Sequence, residues 1–155
     1  MPRGKKHTHC VYVIELDPRV WRERATMRKA NPRYSPLTGL GFVYVGMTSH
    51  TPEERFAIHK KGGELSAPVV RRFGRALQPR LYQAYERMSR PDAEEMERYL
   101  ADRLRRKGYA VWPVKPGGAF TMDGGPPARR PVVPLQGSVA AGRRGRRRTW
   151  RANSR

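Results

Sequence analysis

The chain has 155 residues and a formal net charge of +20 at pH 7, and hydrophobic residues make up 37% of it. This length is typical of one domain, and this charge favours a polyanionic partner, most simply nucleic acid. Cys10 is the only cysteine, which excludes an intramolecular disulfide and a cysteine-based zinc site. No apolar run approaches the ~18 residues of a membrane span or forms the core of a signal peptide. We therefore expect a cytoplasmic protein, associated with the nucleoid if bacterial, that binds no membrane and no small-molecule cofactor.

The first predicted element follows a short basic arm at residues 1–8. The run from Cys10 to Leu16 is rich in β-formers and ends at Asp17-Pro18, which predicts a strand. Tyr12 shares one face of that strand with Ile14. From this pattern alone, Tyr12 is interpreted as a core aromatic whose hydroxyl finds a local partner.

A basic insert at residues 17–41 follows the strand. It interleaves aromatic and basic side chains, namely Trp21, Arg22, Arg24, Arg28, Lys29, Arg33 and Tyr34. Residues 19–30 have the composition of a short helix, which Asn31-Pro32 ends. Two interpretations stay open. The insert contacts nucleic acid through phosphate binding and base stacking, or it is a solvated loop.

The next two elements are a strand and a helix joined by a short connection. Residues 42–47 place four apolar β-formers in a row, which predicts a buried strand that Gly46 closes in a tight turn. Thr51 then suits an N-cap, and Glu54 completes a capping box with it. With Pro52 at the first helical position, a helix is expected to begin there.

That helix carries two residues of interest on one face, Arg55 and His59, because they are four positions apart. Lys60 and Lys61 occupy its last turn, where they favour the helix dipole, and Gly62-Gly63 ends it. His59 either takes part in a site, given the suitability of histidine for proton transfer, or only caps the helix end or lies in solvent.

The clearest helix is opened by Ser89 and stopped by Gly108. Its apolar stripe consists of Ala93, Met96, Leu100 and Leu104. Glu97 falls inside that stripe, and a carboxylate there is costly unless a cation or a donor meets it. Glu97 is therefore either half of an ion pair with a core-facing arginine or a ligand for a divalent metal.

Three of these features together resemble the GIY-YIG nuclease superfamily. Cys10-Val11-Tyr12 is similar to the GIY half of the motif that names the family, and Tyr44-Val45-Gly46 is similar to the YIG half. Arg55-x-x-x-His59 resembles the arginine-and-histidine helix that follows in many members, and the helix of Glu97 resembles the one that supplies a metal-binding glutamate. The resemblance covers roughly residues 8–112.

The resemblance implies an α/β (α+β) fold with a small three-stranded, mainly antiparallel sheet flanked by helices. The domain would span residues 9–116, with the third strand near Leu81 to Met88. Two departures stand out. Cys10 occupies the usual place of a glycine, and the insert at 17–41 is longer than the usual connection between the two tyrosine motifs.

The implied activity is metal-dependent endonucleolytic hydrolysis of DNA. The implied catalytic residues are Tyr12, Tyr44, Arg55, His59 and Glu97, of which Glu97 would hold Mg²⁺ or Mn²⁺. Arg55 offers a planar fork to phosphate. Tyr12 would orient or deprotonate the attacking water, and for deprotonation its pKa of about 10 must be lowered by Arg55, His59 and the metal. Tyr44 would position the phosphate or a water.

Residues 117–155 form a Gly/Pro/Arg-rich segment that is too poor in apolar residues to fold alone. We predict a disordered basic tail that binds phosphates non-specifically, the alternative being a solubilising segment or a recombinant remnant. A short helix predicted at residues 69–73 carries two more basic side chains, Arg71 and Arg72, that could bind phosphate. The predicted nucleic-acid-binding residues are Lys60, Lys61, Arg71, Arg72, Arg143, Arg144, Arg146, Arg147 and Arg148.

This basic surface also supports a second hypothesis from a different class. The protein would be a catalytically inactive relative that keeps the scaffold and binds DNA or structured RNA through its charge. A third interpretation is an RNA-associated structural protein, because arginine-rich tails also suit folded RNA.

Overall fold

A computed structural model describes residues 6–114 of the chain. Most of the predicted basic arm and the whole predicted tail, including Arg143, Arg144, Arg146, Arg147 and Arg148, lie outside the described residues. The elements are β1 (Cys10–Leu16), α1 (Arg19–Glu23), α2 (Ala25–Ala30), β2 (Gly41–Thr48), α3 (Pro52–Lys61), α4 (Pro68–Phe73), β3 (Gly74–Leu77), α5 (Arg90–Lys107) and β4 (Tyr109–Val111).

The four strands form one sheet in the order β3-β1-β2-β4. β1 is antiparallel to both of its neighbours, and β4 runs parallel to β2. The predicted mixed α/β class is confirmed, but the predicted number of three strands is wrong. The fourth strand arises because Gly108, at φ 110°, turns the chain after α5 and brings the strand beside the start of β2. A run of three residues carries no strand signal of its own.

The third strand is also not where it was predicted. It lies at Gly74–Leu77, whereas the expected segment at 81–88 forms turns, with one isolated bridge from Met88 to His9. β3 follows α4 without any loop, so no turn residues mark its start. The direct change from helix to strand requires glycine at position 74, because a Cβ there would lie 2.5 Å from the carbonyl oxygen of Val70.

The ends of the two longest helices follow their capping residues. Thr51 accepts a hydrogen bond from the backbone of Glu54, whose side chain accepts one in return from the Thr51 N–H, so the predicted capping box is confirmed. Ser89 caps α5, and Gly108 ends it in the left-handed region, as predicted. No helix within residues 6–114 combines the length and the hydropathy that crossing a bilayer requires.

The insert is part of the folded core. Val20 of α1 and Met27 of α2 are fully buried, so the interpretation of the whole insert as a solvated loop is wrong. The expected single helix is divided at Arg24, whose backbone is extended. Trp21, Tyr34 and Phe42 form a ring cluster with centroids 5.0–5.9 Å apart.

Asn31 attaches the end of the insert to β4. Its side-chain amide donates to the carbonyls of Met27 and Val111, at 2.8 and 2.9 Å. Its side-chain oxygen accepts from the N–H of Val111 at 2.8 Å and from Arg105 at 3.1 Å. This buried amide thus satisfies both backbone groups of Val111 that face away from β2.

Candidate active site

One cleft of about 750 Å³ is lined by all five of the residues predicted to be catalytic. β1 supplies Tyr12, β2 supplies Tyr44, α3 supplies Arg55 and His59, and α5 supplies Glu97. The rings of Tyr12, Tyr44 and His59 lie 5.7–6.3 Å apart, centroid to centroid. Cys10, the departure from the family pattern, does not line this cleft, and its buried thiol faces the carbonyl of His50 at 3.5 Å.

Gly46 lies opposite Tyr12 in the antiparallel pairing of β1 with β2. It does not form the tight turn that the sequence suggested, because β2 continues to Thr48. A Cβ at Gly46 would lie 2.5 Å from the Tyr12 hydroxyl and 3.0 Å from the Tyr44 ring. The glycine therefore provides the space in which the Tyr12 side chain crosses the neighbouring strand.

His59 is fully buried and hydrogen-bonds through both of its ring nitrogens. Its Nδ1 accepts a hydrogen bond from the backbone N–H of Ala67 at 2.9 Å. A neutral imidazole then carries its proton on Nε2, which lies 2.8 Å from the Tyr12 hydroxyl. His59 thus donates to Tyr12, and the alternative of a helix cap in solvent is excluded.

The charge state of His59 follows from its surroundings. Burial, with a further contribution from Arg55, lowers the pKa of His59 from 6.5 to about 4. The ring is therefore neutral near pH 7, and neither nitrogen is free to accept a proton. Its hydrogen bond holds the Tyr12 hydroxyl in place.

Both tyrosines of the cleft are held in the neutral form. Burial raises the pKa of Tyr12 well above its ordinary value of 10.0, and Tyr44 adds to the rise, whereas Arg55 offsets only part of it. Burial likewise raises the pKa of Tyr44, with a further rise from Glu97. The expectation that the surrounding protein cations lower the pKa of Tyr12 is therefore wrong for the protein alone, because desolvation is the larger effect.

Arg55 is half-buried and reaches the loop between α3 and α4. Its guanidinium donates to the carbonyl of Leu65 at 2.9 Å, and no carboxylate within residues 6–114 forms an ion pair with it. Gly62 and Gly63 begin this loop at φ 85° and 110°, a conformation that favours glycine. The same short loop thus orients Arg55 through Leu65 and His59 through Ala67.

Glu97 is half-buried at the cleft wall. No lysine, arginine or histidine in the described part of the chain lies within ion-pair distance of it, and no described group donates a hydrogen bond to it. The interpretation of Glu97 as half of a scaffold ion pair is therefore wrong for residues 6–114. Burial raises the pKa of Glu97 from 4.5 to about 7, with Arg98 lowering it only in part.

The donor set at Glu97 suits a hard cation. A carboxylate that faces a cleft and has no ion-pair partner within residues 6–114 is the kind of oxygen ligand that Mg²⁺ and Mn²⁺ prefer. Residues 6–114 bring no three His, Cys, Asp or Glu side chains together as a metal-binding group. An ion held by the Glu97 carboxylate would keep waters at its other coordination positions.

The predicted nucleic-acid-binding residues on α3 and α4 do not line the cleft. The ammonium of Lys60 donates to the carbonyls of Arg71 and Gly74, at 3.2 and 2.9 Å, so it supports the end of α4. Arg72 pairs with Glu23 at 2.8 Å. Lys61 and Arg71 are exposed. Phosphate binding by these four residues stays a prediction.

Sequence reasoning missed the loop at residues 62–67 and gave no reason to single out Arg24 from its basic neighbours. The Gly62-Gly63 pair was a signal for an unusual backbone, but the groups that contact Arg55 and His59 are backbone atoms, which no side-chain pattern shows. Arg24 lines the cleft. Its position depends on the break between α1 and α2, which composition did not indicate.

Comparisons of the chain with family models, with curated proteins and with solved structures gave no match.

Proposed function

We propose that the protein is a metal-dependent endonuclease of GIY-YIG type that hydrolyses phosphodiester bonds in DNA. The observation that supports this proposal most strongly is the meeting of two phenols, a guanidinium and a carboxylate, unpaired within residues 6–114, in one cleft. This set combines a fork for phosphate, two hydroxyl groups for orienting water and a hard oxygen ligand. The protein would act in the cytoplasm.

Arg55 binds the phosphate in this proposal. The Leu65 carbonyl holds its guanidinium at 2.9 Å, so the fork is ordered before the substrate arrives. Because no described carboxylate neutralises it, its full charge is available to the negative charge that develops on the phosphoryl oxygens.

Tyr12 and Tyr44 orient the attacking water and the phosphate. Since His59 Nε2–H donates to the Tyr12 hydroxyl oxygen at 2.8 Å, the phenol proton is directed to another acceptor in the cleft. In the proposed complex that acceptor would be a water or a phosphate oxygen. His59 also stabilises any negative charge that forms on Tyr12 during proton transfer.

An Mg²⁺ or Mn²⁺ ion at Glu97 would supply, when bound, the positive charge that polarises a phosphoryl or leaving oxygen. Glu97 must be ionised to hold it. The protein's own contribution is a carboxylate that forms no ion pair within residues 6–114.

A cleavage assay tests the proposal. Plasmid, single-stranded and branched DNA are incubated with the full chain and Mg²⁺ or Mn²⁺. We expect cleavage that is lost in Glu97→Gln and in Arg55→Ala, and kept in Glu95→Gln, a control on the same helix that does not line the cleft. Cleavage that survives both cleft substitutions contradicts the assignment.

One observation favours the second hypothesis, a catalytically inactive nucleic-acid-binding protein. The neutral His59 and the raised pKa of Tyr12 leave the protein alone without a proton acceptor on either residue. This protein would bind DNA or RNA with an affinity that falls steeply with salt and would cleave neither with any metal. If deleting residues 129–155 leaves the affinity and the salt dependence unchanged, the tail has no part in binding.

A further inference from the structure

The insert at residues 17–41 delivers one cation to the cleft. Arg24 lies at the break between α1 and α2, where its backbone is extended at φ −125° and ψ 101°. That break turns its side chain to the same cleft that Tyr12, Arg55 and Glu97 line. The other basic residues of the insert do not line the cleft.

An aromatic ring holds the Arg24 side chain in place. Its guanidinium carbon lies 5.6 Å from the centroid of Phe73, and that of Arg72 lies 5.2 Å from the same ring. Phe73 is buried, so it forms a fixed platform. Arg72 is neutralised by Glu23 at 2.8 Å. Of the two arginines on this ring, Arg24 faces the cleft, and within residues 6–114 only Arg72 pairs with a carboxylate.

Two other arginines of the cleft have hydrogen-bonding or ion-pair partners within residues 6–114. Arg90 pairs with Glu94 at 3.4 Å, and Arg55 is bound to the Leu65 carbonyl. Arg24 is half-buried, and no carboxylate of residues 6–114 lies within ion-pair distance of it. A half-buried guanidinium without an anion is costly in the free protein, and a phosphate would remove that cost.

We infer that Arg24 binds a backbone phosphate adjacent to the one held by Arg55, so that the insert forms one side of the DNA-binding cleft. This inference rests on the proposed function, because it assumes that the cleft receives a nucleic-acid backbone. The insert thereby extends the contact beyond the reacting phosphate. The planar guanidinium of Arg24, which lies over the Phe73 ring, suits a bidentate contact with a phosphate.

Binding of a short fluorescent DNA duplex tests the inference. The full chain carries Glu97→Gln, so that the duplex stays intact, and affinity is measured over a series of salt concentrations. We expect Arg24→Ala to weaken binding about tenfold and to reduce the salt slope by about 0.9, the value for one lost phosphate contact. Arg24→Lys should keep the slope and lose part of the affinity.

Arg22→Ala is the matched control, since it removes the same charge from an exposed position two residues away. Equal effects of Arg22→Ala and Arg24→Ala on affinity and slope would overturn the inference, while leaving the proposed function intact. If the Glu97→Gln chain binds no duplex at any salt concentration, the proposed function itself fails. Thermal unfolding of each variant separates lost contacts from lost folding. In the active chain, Arg24→Ala should raise KM more than it lowers kcat.

Discussion

The hydroxyl of Tyr12 lies across the sheet from Gly46, so close that a single methyl group on that glycine would stand 2.5 Å from it. Tyr12 is 1% exposed, so its ring cannot move away into solvent. The choice of glycine on β2 is therefore set by the position of a phenol on β1.

Gly46→Ala should consequently displace Tyr12 from the Nε2 of His59. We expect a loss of about 1–3 kcal/mol in the free energy of unfolding, as for overpacked cores, and a fall of about 100-fold in cleavage rate, as for small misplacements of reacting groups. Urea unfolding and the plasmid assay measure the two effects. Native stability together with native activity in Gly46→Ala would show that the contact is not restrictive.

His59 and Glu97 should both make the free energy of unfolding depend on pH, in opposite directions. The pKa of His59 is lowered from 6.5 to about 4, so its unfolded form binds more protons, and its contribution is complete above pH 6.5 and lost toward pH 4. For this fully buried ring the loss is up to about 3 kcal/mol. The pKa of Glu97 is raised from 4.5 to about 7, so its contribution is complete below pH 4.5 and lost as the pH rises through 7.

The two contributions oppose each other where their pH windows overlap, and single variants separate them. In Glu97→Gln the His59 dependence remains, so stability should rise with pH between about 4 and 6.5. In His59→Gln the Glu97 dependence remains, so stability should fall with pH between 4.5 and about 7. Urea denaturation at several pH values provides the measurement, and identical profiles for the two variants would refute the assignment of both groups.

Metal binding at Glu97 should depend on pH for the same reason. A proton competes with the ion for a carboxylate whose pKa is about 7. Mn²⁺ should therefore bind about tenfold more weakly at pH 6 than at pH 8, as measured by calorimetry without DNA. Glu95→Gln should bind like the unmodified chain and Glu97→Gln should not. An affinity that is independent of pH, or that Glu97→Gln retains, argues against Glu97 as the ligand.

Arg55→Lys should separate the charge of Arg55 from its planar shape. Lysine keeps the positive charge but loses the fork that suits phosphate, and its ammonium cannot donate to Leu65 and phosphate in the same fixed geometry. We expect kcat to fall about 100-fold with an unchanged salt slope of DNA binding. Arg80→Lys, at an exposed site outside the cleft, serves as the control. Full activity in Arg55→Lys would mean that only charge matters there.

The elements that could be predicted from the sequence are those specified by neighbouring residues. Thr51 with Glu54 and Ser89 with Gly108 define their helices through contacts a few positions apart. Glu97 could be singled out because its position in an apolar stripe follows from the helical period alone.

The features that could not be predicted depend on distant partners. β3 and β4 are strands only because β1 and β2 offer free edges, and their short sequences do not specify a partner. The sequence singles out Gly46, but the requirement for glycine there comes from the Tyr12 side chain on the neighbouring strand. The tautomer of His59 depends on a backbone N–H eight residues later, and the cleft position of Arg24 depends on packing against Phe73.

The side chain of Asn31 has a consequence for how this protein meets copies of itself. β4 is the last strand of its sheet, and its outward backbone groups would ordinarily be open to pairing with another chain. Asn31 occupies the N–H and the carbonyl of Val111 on that side, and Arg105 covers the same carbonyl at 3.3 Å. At Val111, an amide from the insert thus takes the place of a fifth strand and blocks the backbone groups that an added strand would pair with.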